Sequence, residues 1–138
     1  MRCALFVVLV AFAGCGRQQD QWKSEYLAVV KRWDAAYSGA DAKAAYEETM
    51  AYTEYLKRMQ RDGLPFETSP VLAWNYARLG LLAEHLGKTE ESARFFATAV
   101  RYAKTSYPKE PDSKTSEAAF RSALDQMDTP DKVAWRRK

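Results

Sequence analysis

Over residues 18–128 apolar side chains recur every three or four positions, and nowhere do they alternate strictly with polar ones as a half-buried strand would require. A period near 3.6 gathers such residues on one stripe of a helix, so the chain is expected to be all α. The pattern divides into five helices. The first, over 18–38, carries Trp22, Tyr26, Val29, Trp33 and Ala36 on one stripe. The second, over 41–62, opens on Asp41, whose carboxylate suits an N-cap, and carries Ala45, Tyr52, Leu56 and Met59. The third begins at Ser69-Pro70, read as an N-cap followed by proline at the first helical position, and carries Leu72, Tyr76, Leu79, Ala83 and Leu86. The fourth, over 89–106, has Glu90 and Glu91 in its first turn and buries Phe96, Val100 and Ala103; Pro108 and Pro111 stop it. A shorter fifth, over 114–128, places Phe120, Leu124 and Met127 together.

Gly39, Gly63 and Gly87 each follow directly on a helical pattern, which predicts three C-terminal caps in the left-handed conformation. Short connections make consecutive helices antiparallel, so helices one to four should form two stacked hairpins with helix five covering an end. Residues 129–138 read as a flexible basic tail, with Trp135 the one side chain that could dock it. Its Arg136-Arg137-Lys138 end is either a solvated run or a contact for anionic lipid head groups.

Composition narrows the function classes. The chain has 138 residues, 47% of them apolar and 13% aromatic, enough to bury the core of one small domain. Two cysteines and one histidine cannot supply a zinc finger, an iron–sulfur cluster or a disulfide scaffold, so no metal or cofactor is expected. A net charge of +3 falls short of the one-sided basicity of a nucleic-acid binder. The motifs G-x-S-x-G, H-E-x-x-H, C-x-x-C and the phosphate-binding loop are all missing, and the adjacent pairs Glu47-Glu48 and Glu90-Glu91 point about 100° apart on a helix, too divergent to flank one bond. The expectation is a protein that is not an enzyme and has no catalytic residues.

The amino terminus carries a separate signal. After Met1-Arg2, residues 3–13 are an apolar run of 11 residues, which as a helix spans about 16 Å against a hydrocarbon core of roughly 30 Å. The run ends in Phe12-Ala13-Gly14-Cys15, which resembles the lipobox of bacterial lipoprotein signal peptides, with phenylalanine where leucine is usual. The resemblance implies a signal peptide over 1–14 and lipidation at Cys15, whose thiolate takes the diacylglyceryl group. It also implies a bacterial envelope location, with Gly16 instead of aspartate favouring the outer membrane, facing the periplasm, over the inner membrane. Two other readings stay open: an ordinary secretory leader cut after Ala13, and a buried N-terminal helix.

Within residues 73–106, Leu79-Gly80, Ala83, Gly87, Ser92, Phe96 and Ala99 fall at spacings that resemble one tetratricopeptide repeat (TPR). Tyr76, Ala83, Ser92 and Lys104 depart from the common residues of that family. A glycine inside a helix costs about 1 kcal/mol relative to alanine, and close approach of a facing helix, with Phe96 beside Gly80, is a reason to tolerate it. The resemblance implies a TPR-like domain over 15–128 in which the first helix of each pair lines a groove. On the third helix that face is Trp74, Arg78 and His85, the candidate partner-binding residues, whose aromatic, guanidinium and imidazole groups suit a peptide. The competing readings are that another helix covers this face, with Trp74 in the core, and that His85 only complements the helix dipole.

The expected function is therefore a lipid-anchored envelope module that binds a protein or peptide segment, as TPR-like lipoproteins do when assisting assembly machinery. The alternative is a protein that binds or acts on cell-wall glycan, or inhibits an enzyme that does, because four tryptophans and eight tyrosines exceed what the core stripes need.

Overall fold

The computed structural model describes residues 4–63 and 67–137, with side chains from residue 21 onward. The chain is all-helical there: α1 (Ala4–Ser38), α2 (Ala42–Arg61), α3 (Ser69–His85), α4 (Thr89–Ser106), α5 (Glu117–Met127) and a short 3-10 turn, Ala134–Arg136. It divides into two compact units, Met1–Arg32 and Trp33–Lys138. The first unit is the amino-terminal part of α1. That helix was expected over 18–38, yet it begins at Ala4 and passes through Gly14, Cys15 and Gly16 without a break. Alanine and leucine, good helix formers, supply five of the 11 residues of the apolar run, and two glycines at about 1 kcal/mol each do not interrupt the helix. The side chain of Cys15 lies outside the described side chains.

In the second unit local chemistry sets the helix ends. Asp41 Oδ1 accepts from the backbone N–H groups of Lys43 (2.9 Å) and Ala44 (3.2 Å), capping α2. Ser116 does the same for α5, accepting from Ala119 at 3.2 Å. At α3 the cap residue is Thr68, so Ser69, read above as the cap, is already helical and Pro70 occupies the second position, where its missing N–H also costs nothing. Gly63 (φ 67°) and Gly87 (φ 74°) take the left-handed conformation, but Gly39 does not.

Two buried clusters hold the unit together. One joins Ala73 and Ala77 of α3, Phe96, Ala99 and Ala103 of α4, and Phe120 and Leu124 of α5. Small residues let α3 and α4 approach closely, and Phe96 fills the space at Gly80: a β-carbon there would sit 2.6 Å from Phe96 Cε2. Met127, expected beside Phe120 and Leu124, is 40% exposed because the helix ends there.

The second cluster joins Tyr37, Ala42, Ala45 and Leu82 to Val133 and Trp135. The expected flexible tail over 129–138 is therefore corrected: Val133 and Trp135 are core residues, each 4% exposed. The Trp135 backbone N–H donates to Gly39 O at 2.9 Å. Arg136, read as solvated or lipid-facing, donates to the carbonyls of Leu124 (3.0 Å) and Asp128 (2.7 Å) and to the carboxylate of Asp125. Carbonyls at the end of α5 lack helical partners, and a guanidinium supplies them.

Candidate binding surface

Trp74, Arg78 and His85 lie along α3, and each meets a different part of the chain. Trp74 is half-buried, edge-on to Phe120 of α5 with ring centroids 5.0 Å apart. Arg78 Nε donates to Asp128 Oδ2 at 3.0 Å, and its guanidinium lies over the rings of Trp33 and Tyr37, 5.4 Å from each centroid. His85 is exposed, with its ring 5.4 Å from that of Trp135 and edge-on to it. Arg78, expected above to meet a peptide, thus has a carboxylate partner within this chain. Burial, reinforced by the adjacent charge of Asp128, pushes the Tyr37 phenol far above its usual range, so Tyr37 is a neutral donor to Asp128 (2.8 Å) at any physiological pH. Trp74 thus packs on α5 and Arg78 on the last turn of α1 and Asp128, while His85 stays exposed beside Trp135.

The aromatic surplus divides between core and surface. Tyr37, Tyr52, Tyr55 and Trp135 are buried. Tyr46 of α2, Tyr76 of α3, and Phe95 and Tyr102 of α4 are half-buried and form a continuous row. Tyr102 stacks on Tyr76 (5.6 Å between centroids), Tyr76 meets Phe95 (6.1 Å), and Phe95 meets Tyr46 (6.3 Å). Tyr76 was assigned to the core stripe above; it stands at the edge of that stripe, with part of its ring exposed. Phe95 and Phe96 are adjacent on a helix and must diverge by about 100°, which puts Phe96 inside and Phe95 in the row.

Charged groups flank the row at both ends. Lys88 places its ammonium 4.2 Å from the centroid of Tyr46, and the Tyr46 hydroxyl donates to Glu91 Oε2 at 2.6 Å. Burial, with the hydrogen bond to Glu91, raises the Tyr46 pKa to about 12, and the same bond holds Glu91 below its ordinary value. Near Tyr76 and Tyr102, Lys57 pairs with Glu54 at 2.7 Å, a bond that raises the lysine pKa. Such a strip can stack on apolar or planar groups, each aromatic contact contributing about 0.5–1.5 kcal/mol beyond area burial, and each end carries a paired lysine and glutamate, Lys57 with Glu54 and Lys88 with Glu91 (3.4 Å). Sequence reasoning named none of these four rings as a site; its only signal was the excess of tyrosine.

Among the described residues no cluster of three or more histidine, cysteine or acidic side chains is placed to hold a metal, and no helix is long and apolar enough to cross a membrane. No protein-family model, curated protein or solved structure matches the chain.

Proposed function

We propose that this chain is a lipid-anchored module of the bacterial envelope, tethered through Cys15 and more suited to the outer membrane than the inner, that binds a protein segment and carries out no catalysis. The supporting observation is the row Tyr46–Phe95–Tyr76–Tyr102, which three helices of the hairpin stack contribute to one half-exposed strip. Tyrosine and phenylalanine are enriched at protein interfaces, where their rings bury large rigid area at small entropic cost. With a lysine–glutamate pair at each end, the strip suits a segment that presents apolar or aromatic side chains. The test is a photo-crosslinking amino acid placed at Phe95 in living cells, with exposed Ala97 on the same helix as control. A discrete adduct from position 95 and none from 97 is expected. Adducts from neither, or the same set from both, would refute the assignment.

The same row favours a second reading, cell-wall glycan, since sugar faces stack on aromatic rings. Co-sedimentation with purified peptidoglycan that is lost in Tyr76→Ala/Tyr102→Ala would favour it over the protein partner.

A further inference from the structure

The two faces of α3 are built differently. Ala73, Ala77 and Gly80 turn toward α4 and let Phe96, Ala99 and Ala103 close in. Asn75 lies about 160° round the helix from Ala77 and within about 20° of Leu82. Leu82 shares a buried cluster with Ala42 and Ala45 of α2, and at the other end of the two helices Gln60 Nε2 donates to Ser69 Oγ at 3.0 Å. That antiparallel register sets Asn75 level with Tyr52 and Thr53 of α2. Asn75 is 1% exposed, and neither its Oδ1 nor its Nδ2 has a hydrogen-bond partner among the described residues. The buried hydroxyls of α2 supply none: Thr49 and Thr53 donate back one turn, to the carbonyls of Ala45 and Thr49, both at 2.7 Å, and Thr49 Oγ1 also accepts from Trp33 Nε1 at 3.1 Å. A carboxamide sealed between two helices gives up its hydrogen bonds to water, and it recovers them only when the helices part.

We infer that α2 opens from α3 as one unit while the rest of the chain stays folded, at a frequency raised by Asn75, and that this opening regulates the aromatic row. Of the four rings, Tyr46 alone comes from α2; its hydroxyl bond to Glu91 (2.6 Å) and its contact with Phe95 tie α2 to α4. With α2 open the row loses Tyr46. An occupant that touches Tyr46 together with Phe95 therefore binds the closed form and holds α2 in place. This last step rests on the partner reading of the row, whereas the opening itself does not.

The experiment is native-state hydrogen exchange of the full chain with no partner present, read at the backbone amides of α2, α3 and α4. The α2 amides should exchange at least roughly tenfold faster than the slowest amides of α3 and α4, which wait for the whole fold to open. Asn75→Leu keeps the branching of the side chain and removes its polar atoms, and should slow the α2 amides by about tenfold or more. Asn75→Val, a smaller replacement, serves the same purpose if leucine prevents folding. Tyr46→Phe, which removes the tie to Glu91, should speed α2 exchange roughly three- to tenfold. Exchange of α2 no faster than that of α3 and α4 in the parent, or α2 amides unmoved by the Asn75 replacements, would overturn the opening and leave the row as it stands. Unchanged α2 exchange in Tyr46→Phe would overturn its link to the row. A failure of crosslinking at Phe95 would remove the occupant, and the exchange of the free chain would still decide the opening.

Discussion

The phenol of Tyr37 donates a 2.8 Å hydrogen bond to Asp128, 91 positions away in sequence, and Arg78 Nε donates to the same carboxylate oxygen at 3.0 Å. One acidic side chain at the end of α5 thereby ties the last turn of α1 to the middle of α3. The backbone carbonyl of Asp128 is held in turn by Arg136, so the C-terminal turn is fastened at the same point.

Removing that carboxylate should release the fastening. The side chains of Arg78 and Asp128 are only 17% and 10% exposed. Asp128→Ala leaves a nearly dry guanidinium without its counter-charge, expected to cost about 3 kcal/mol in urea unfolding. Tyr37→Phe removes one neutral donor and should cost about 1 kcal/mol. Equal stability of Asp128→Ala and the parent would show that Arg78 does not depend on this partner.

Gly80 offers a test of helix approach. A β-carbon there would lie 2.6 Å from the Phe96 ring, so Gly80→Ala should lose about 1–3 kcal/mol to overpacking, against the roughly 1 kcal/mol that alanine gains in helix propensity. Gly80→Leu should be worse. Shortening the ring's reach with Phe96→Leu should make the alanine at position 80 less harmful, a coupling that a double-mutant cycle measures directly. Strict additivity would mean that the two residues do not set the α3–α4 spacing.

Alkaline pH should weaken the fold in a defined window. The Tyr46 phenol has its pKa raised from 10.0 to about 12 by burial and by Glu91, and burial raises Tyr76 in the same direction. The folded chain therefore retains protons that the unfolded chain gives up. The stabilisation is complete below pH 10 and declines as pH rises from 10 toward 12. Unfolding midpoints across that range should fall less steeply in Tyr46→Phe than in the parent. Parallel slopes would remove Tyr46 from the account.

Much of this fold is legible in the sequence because its determinants are local. Asp41 caps α2 as its position before an apolar stripe predicts, and Gly63 and Gly87 adopt the positive φ that helix ends favour. Gly39 follows the same pattern and departs from it, since its surroundings are set from afar: its carbonyl receives the N–H of Trp135. Trp135 is legible as the one side chain able to dock the end of the chain, and it does so, but what residues 133–137 dock against was hidden for the same reason. Three basic residues read as a solvated end, while the carbonyls that Arg136 satisfies exist only once α5 has stopped. The aromatic row was invisible to periodicity because its four rings come from three helices, and no stripe on one helix contains them. Trp74, Arg78 and His85 do share α3, but what they touch was decided by α5 and the C-terminal turn.

The proposed anchor is tested most directly by intact-mass analysis of the amino-terminal peptide after growth with an alkyne analogue of palmitate. The account predicts a mature chain that begins at Cys15, carries diacylglyceryl and labelled acyl mass on that residue, and loses the label in Cys15→Ser. A chain that retains residues 1–14, or one that is cut after Ala13 and carries no label, would contradict it.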